Sequence, residues 1–127
     1  MEALYVDVNW LAVIVGAVAA FLVGWLWYSD KLFATKWRAG IGQPVVANRP
    51  MMHGMIAQAV ATFLLAWVIG ITETTDAIFF AILIGLTITA IVKANGFFAG
   101  KSNYAIAVES TYILVMVAIM ILAHAIF

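Results

Sequence analysis

Residues 104–127 read YAIAVESTYILVMVAIMILAHAIF, an apolar run that carries one charged side chain, Glu109. A helix rises ~1.5 Å per residue and needs about 20 residues to cross the ~30 Å of hydrocarbon in a bilayer. Three further apolar runs of similar length occupy positions 10–28, 51–72 and 77–98. The sequence therefore predicts an all-α, polytopic transmembrane bundle of four helices, in a single domain that covers residues 1–127.

The composition is typical of a membrane protein. Of the 127 residues, 67% are hydrophobic and only 9% are charged, and the mean hydropathy is +1.13. So few charges cannot cover the surface of a soluble domain. The formal net charge is zero, so the chain lacks the basic field of a nucleic-acid-binding protein. Because the chain has no cysteine, disulfides and thiol catalysis are excluded.

We expect the first run to be a retained span. A cleaved signal peptide begins with a positively charged region. Here Glu2 and Asp7 precede the run, and no Lys or Arg does. Cleavage near residues 17–20 is the alternative.

Charge is sorted between the connections of the four runs. Segment 29–49 and the link between the third and fourth runs are basic, whereas the N-terminus and the link between the second and third runs are acidic. The basic residues are Lys31, Lys36, Arg38, Arg49 and Lys101, and the acidic ones are Glu2, Asp7, Glu73 and Asp76. The positive-inside rule predicts cytoplasmic basic connections and both termini outside, in the cell membrane, which is the inner membrane if the protein is bacterial.

Segment 29–49 also contains a candidate amphipathic helix. Phe33 and Trp37 would share one face of it, while Lys31 and Arg38 point to water. This pattern favours a short interfacial helix on the cytoplasmic side, between the first and second spans. Such a helix either anchors the first span or acts as a lid or docking element.

Two ionisable residues, Lys93 and Glu109, lie inside the runs. Lys93 continues a spacing of four residues from Gly85 and Thr89. Charges at membrane depth are costly and usually face a partner in the bundle interior. Each of the two lies ~8 Å inside the cytoplasmic end of its run, and a tight turn joins the runs. We therefore expect an ion pair between Lys93 and Glu109.

Other polar residues are expected at the same level as this pair. They are His53, Gln58, Tyr28, Ser29, Asn95 and Tyr112. Together with Lys93 and Glu109 they predict a polar pocket that opens toward the cytoplasm and binds a ligand. The alternative is a clasp that only fixes the register of the helices.

No cofactor, metal site or complete catalytic motif is predicted. Met51, Met52 and Met55 offer thioethers that suit Cu(I), but they do not all share a helix face. His53 and His124 lie near opposite surfaces, so one protomer cannot clamp a haem between them. An intramembrane enzyme is the least favoured hypothesis.

One motif resembles the start of a known family, that of the domain of unknown function 1761. It comprises Asn9-Trp10, Gly24, Trp27-Tyr28-Ser29, Leu32-Phe33 and Trp37. The family consists of small bacterial multi-pass membrane proteins, typically of four helices, and often has Pro where this chain has Asp30. The resemblance covers about the first third of the chain. It implies the four-helix membrane fold and singles out Trp27, Tyr28, Ser29 and Trp37, but it implies no reaction.

Two functional hypotheses follow. The first is a small transporter or channel-like protein that uses the polar pocket for a solute or ion. A lone four-helix bundle encloses little volume, so this hypothesis requires a homo-oligomer. The alternative is a non-catalytic binding or assembly subunit in the lipid bilayer, which recognises lipid or another membrane protein.

Overall fold

The computed structural model describes residues 2–29, 32–42 and 52–127. All regular structure in these residues is helical, which confirms the all-α prediction. After a short 3-10 helix (Glu2–Leu4), the elements are α1 (Trp10–Trp27), α2 (Ala34–Gly40), α3 (Met52–Glu73), α4 (Ile78–Phe98) and α5 (Asn103–Ile126). All except α2 and the 3-10 helix are long and apolar enough to cross a membrane, so the four predicted spans are confirmed.

Helix α5 occupies the middle of the bundle. It packs against α1, α2, α3 and α4, and one of its faces is buried from Ala105 through Tyr112 and Met116 to Ala123. Helix α1 packs on α5 and α3, whereas α4 packs mainly on α5. A path through a single copy along the bundle axis would therefore have to displace α5.

Small residues let α4 approach α5 closely. A Cβ atom on Gly85 would lie 3.0 Å from Val117 Cγ2, and one on Gly96 would lie 2.7 Å from Ile106 Cγ1. Lipid tails are as apolar as these side chains, so close van der Waals packing takes the place of a hydrophobic driving force. The two glycines thus fix the register of α4 along α5.

The charged connections lie at opposite ends of the bundle. The basic end holds the C-termini of α1 and α4 together with α2, and the acidic end holds the N-terminal segment and the turn between α3 and α4. Asp30, Lys31, Arg49 and Met51 lie outside the described residues.

Helix α3 is buried only in its second half. Thr62, Ala66 and Ile69 are buried, whereas the side chains of residues 53–61 are exposed except for the half-buried Gln58. The first turns of α3 therefore lie on the outside of the bundle at its basic end.

Helix α2 is present at the predicted place between the first two spans, and it lies against the start of α5. The Ser102 N–H donates to the Gly40 carbonyl over 2.8 Å, and Ala34 is fully buried. A Cβ atom on Gly40 would collide with the side chains of Ser102 and Ala105. Only glycine at position 40 allows this close contact.

Candidate functional site

Six side chains from α1, α2 and α5 and their adjoining turns gather at the basic end, and we name them the sub-α2 cluster. The members are Trp27, Tyr28, Trp37, Lys101, Glu109 and Tyr112. Among the four aromatic members of the cluster, Tyr28 contacts the rings of both Trp37 and Tyr112. Its ring centroid is 4.8 Å from that of Trp37 and 5.6 Å from that of Tyr112, which it meets edge to face. Such edge contacts are the preferred geometry of aromatic pairs.

Two hydrogen bonds hold α1 against α5 below α2. The Tyr112 hydroxyl donates to the Ala20 carbonyl over 2.7 Å, and the Trp27 indole N–H donates to the Val108 carbonyl over 3.1 Å. Tyr112 is only 3% exposed, and its ring fills the space above Gly24. The hydroxyl of Tyr112 and the indole N–H of Trp27 therefore already donate to backbone carbonyls within the bundle.

Glu109 is paired with Lys101. The Lys101 Nζ lies 2.8 Å from Glu109 Oε1 and 3.1 Å from Oε2. The two side chains are 28% and 20% exposed, so the pair is partly shielded from solvent. The predicted ion pair between Lys93 and Glu109 is wrong, because Lys101 occupies the carboxylate and Lys93 is exposed on α4.

The error has a geometric cause. Each step of four residues advances a helix by ~400°, about 40° more than a full turn. The spacing Gly85, Thr89, Lys93 thus rotates away from α5, and the buried face of α4 continues at Gly96 instead. Lys93 lies beside that face.

Lys101 reaches Glu109 because of the turn between α4 and α5. Gly100 has a φ of +73°, which reverses the chain, and the Lys101 N–H donates to the Gly96 carbonyl over 3.0 Å. The Ser102 Oγ then accepts from the Ala105 N–H and caps α5. Sequence reasoning missed Lys101 as the partner, and the signal that could have found it is Gly100 one residue before it.

Tyr28 and Trp37 each carry a polar group under α2. Tyr28 follows the last residue of the α1 span, and burial, the negative charge of Glu109 and the neighbouring Tyr112 raise its pKa, in that order of size. The phenol therefore keeps its proton at neutral pH and can donate. The Trp37 Nε1 is buried and has no hydrogen-bond partner among the described residues, a situation that costs about 1–3 kcal/mol.

The remaining predicted site residues lie elsewhere. His53 and Asn95 are exposed on α3 and α4. The Ser29 hydroxyl donates to the Leu26 carbonyl over 2.6 Å and completes the end of α1. Gln58 is half-buried and donates to Thr62 Oγ1 over 3.2 Å. Of the eight residues predicted to line the pocket, the structure thus brings Tyr28, Glu109 and Tyr112 together.

A comparison with protein families places the whole bundle in one group. A family model with the description "Protein of unknown function (DUF1761)" matches residues 11–125. No curated protein and no solved structure gives a significant match. The match extends the resemblance of the first third over all four spans.

Proposed function

Because this chain belongs to the DUF1761 family, whose description assigns no activity, we propose its function from the geometry of the sub-α2 cluster. The protein is a non-catalytic membrane protein that binds a ligand with hydrogen-bond acceptor oxygens beneath α2. This proposal favours the binding hypothesis over transport. It places the ligand at the basic end of the bundle.

The Nε1 atom of the half-buried Trp37 carries the proposal, because it is buried without a hydrogen-bond partner among the described residues. A buried donor without an acceptor is rare in native proteins, and each case calls for an explanation such as a bound molecule. The ring of Tyr28 lies against that of Trp37, and its protonated hydroxyl is a second donor in the same cluster. An acceptor oxygen between the two side chains would remove the cost of the orphan group.

The charges around the cluster favour an oxyanion as the source of that acceptor. Lys101 pairs with Glu109 and offsets part of its negative charge. Lys36 lies over the Tyr104 ring, with its Nζ 5.5 Å from the ring centroid, and adds positive charge beside α2. A phosphate or carboxylate group would meet donors and a positive potential at this end of the bundle.

The indole N–H of Trp37 provides the test. In protein labelled with ¹⁵N, we expect its NMR signal to shift saturably when glycerol phosphate or phosphatidylglycerol is added. The signal is assigned by its loss in Trp37→Phe. Trp67, whose indole N–H donates to the Leu4 carbonyl over 2.6 Å at the acidic end of the bundle, is the internal control and should show no saturable shift. If neither probe moves the Trp37 signal, the proposed site does not exist.

Transport is the second candidate, and the partly buried Glu109–Lys101 pair favours it. A partly buried carboxylate that is paired with a lysine inside a membrane-spanning helix is the kind of group that marks ion and proton pathways in transporters. Since α5 fills the middle of one copy, the path would lie between copies in a homo-oligomer. Glu109 would then be the residue that couples the flux of a solute or ion to protons.

Both candidates share one placement in the membrane. The basic end, with α2, faces the cytoplasm and both termini face outward, as the positive-inside rule predicts. In a bacterium this membrane is the inner one. The sub-α2 cluster then opens toward the cytoplasmic leaflet.

A further inference from the structure

An apolar groove runs along the outside of the bundle between α1 and α3. Its volume is ≈ 270 Å³, and it is lined by Ile14, Ala17, Val18, Phe21, Leu22, Ala59, Thr62 and Phe63. Ala17 and Thr62 are buried at its floor, whereas Val18 and Phe63 form an exposed rim. A water molecule occupies ~30 Å³ in the liquid. The groove thus has room for roughly nine groups of that size, enough for much of an acyl chain.

Gln58 and Thr62 lie between the groove and the buried face of α5. Thr62 lines the groove and accepts a hydrogen bond from Gln58 Nε2. Gln58 Nε2 also lies 3.9 Å from the Met116 Sδ, and Met116 is one turn along α5 from Tyr112. Gln58 and Thr62 therefore place two polar side chains between the floor of the groove and the face of α5 that also carries Tyr112.

We propose that the ligand of the sub-α2 cluster is an anionic phospholipid, with its phosphate under α2 and one acyl chain in the groove. This inference rests on the proposed function and names the class of its ligand. A molecule that is polar at one end and apolar along its length matches both parts of the site. A soluble phosphate would leave the groove without a role.

Charge complementarity favours an anionic lipid over a zwitterionic one. Lys36, Lys93 and Lys101 lie at the basic end, and Glu109 is the only acid at that end among the described residues. Because Lys101 pairs with Glu109, the other two lysines leave a net positive charge. Basic residues near the cytoplasmic surface attract anionic lipids in this way.

Trp25 marks the level of the headgroup. It follows Val18 and Phe21 along α1 at helical spacing, so it lies on the groove side of that helix, one turn closer to the basic end. Tryptophan is enriched at the level of the headgroups. The groove therefore begins where the acyl chain of a lipid in the adjacent leaflet would begin.

Filling the groove tests the inference. Ala59 lines the groove and is exposed, so Ala59→Phe fills the space without entering a packed contact. Ala61→Phe is the matched control, since Ala61 is also exposed on α3 and does not line the groove. Val18→Trp, on the opposite wall, is a second filling variant. The measurement is native mass spectrometry in mild detergent with added phosphatidylglycerol or phosphatidylcholine.

We expect one phosphatidylglycerol per protomer on the wild type and on Ala61→Phe. Ala59→Phe and Val18→Trp should lose that lipid, and phosphatidylcholine should bind more weakly throughout. If Ala59→Phe and Val18→Trp both keep as much bound phosphatidylglycerol as Ala61→Phe does, the inference is wrong.

The NMR signal of Trp37 separates this outcome from failure of the proposed function. Suppose that glycerol phosphate shifts the Trp37 indole signal equally in Ala59→Phe and Ala61→Phe, and that both proteins also bind the same amount of phosphatidylglycerol. The site under α2 then binds an oxyanion, but the groove binds no acyl chain. If no probe shifts the signal, the proposed function and the inference both fail.

Discussion

The Lys101 ammonium lies 2.8 Å from one oxygen of the Glu109 carboxylate and 3.1 Å from the other, which ties the turn between α4 and α5 to the second turn of α5. The contact spans the point where the chain reverses. It places a charge pair at the basic end of the bundle, beside Tyr28. The pair is therefore the first feature to test by mutation.

Removing Lys101 should destabilise the protein, whereas removing Lys93 should not. Lys101→Met leaves the Glu109 carboxylate without its partner in a partly buried place, and we expect a loss of about 1–2 kcal/mol, between the values for exposed and buried pairs. Lys93→Met is the matched control and should stay within ~0.5 kcal/mol of the wild type. Unfolding in mixed micelles measures both.

A double-mutant cycle with Glu109→Gln assigns the partner. Coupling between positions 101 and 109, and none between 93 and 109, is the expected result. The reverse pattern would mean that Glu109 pairs with Lys93 in the membrane after all.

Gly24 and Gly54 provide a matched pair of substitutions. A Cβ atom on Gly24 would collide with the Tyr112 phenol, whereas one on Gly54 would meet nothing within 4 Å. Gly24→Ala should therefore cost about 1–3 kcal/mol of stability. Gly54→Ala should be neutral, or stabilising by up to ~1 kcal/mol because alanine favours the helix. Equal effects of the two substitutions on unfolding would show that Tyr112 does not lie over Gly24.

Gly40→Ala should loosen α2 from α5. The new methyl group would collide with Ser102, which weakens the bond from the Ser102 N–H to the Gly40 carbonyl. We expect faster hydrogen exchange at the Ser102 amide and easier quenching of Trp37 fluorescence by acrylamide. Thr35→Ala, at an exposed position of α2, is the control. An unchanged exchange rate in Gly40→Ala would show that α2 is not held at this point.

The transport candidate makes its own prediction. In proteoliposomes with a proton gradient, Glu109→Gln should abolish any solute-dependent proton flux while the protein remains folded. Glu73→Gln, at the acidic end, should leave that flux unchanged. If the variant Lys101→Met/Glu109→Leu keeps full flux, the pair serves only to fix the helices.

The spans could be predicted from the sequence because hydrophobic length is a local property of each run. The site could be predicted only in part. Tyr28, Glu109 and Tyr112 were predicted as site residues because a polar side chain within an apolar run can be identified from the sequence alone. The partner of Glu109 was missed because it depends on the turn at Gly100, and a spacing of four residues misplaces Lys93 after two turns from Gly85. Trp37 lies in the cluster only because α2 folds back on α5.

The position of α5 has a consequence for biogenesis. It is the last of the four spans to leave the ribosome, yet α1, α3 and α4 all pack against it. Before α5 is inserted, the three earlier spans have only the contacts of α3 with α1 and with α4, and their faces toward α5 stay uncovered. Quality-control proteases that survey the membrane would meet an incomplete bundle until α5 is inserted, so a ribosome that stalls before α5 should leave a fragment that is quickly degraded.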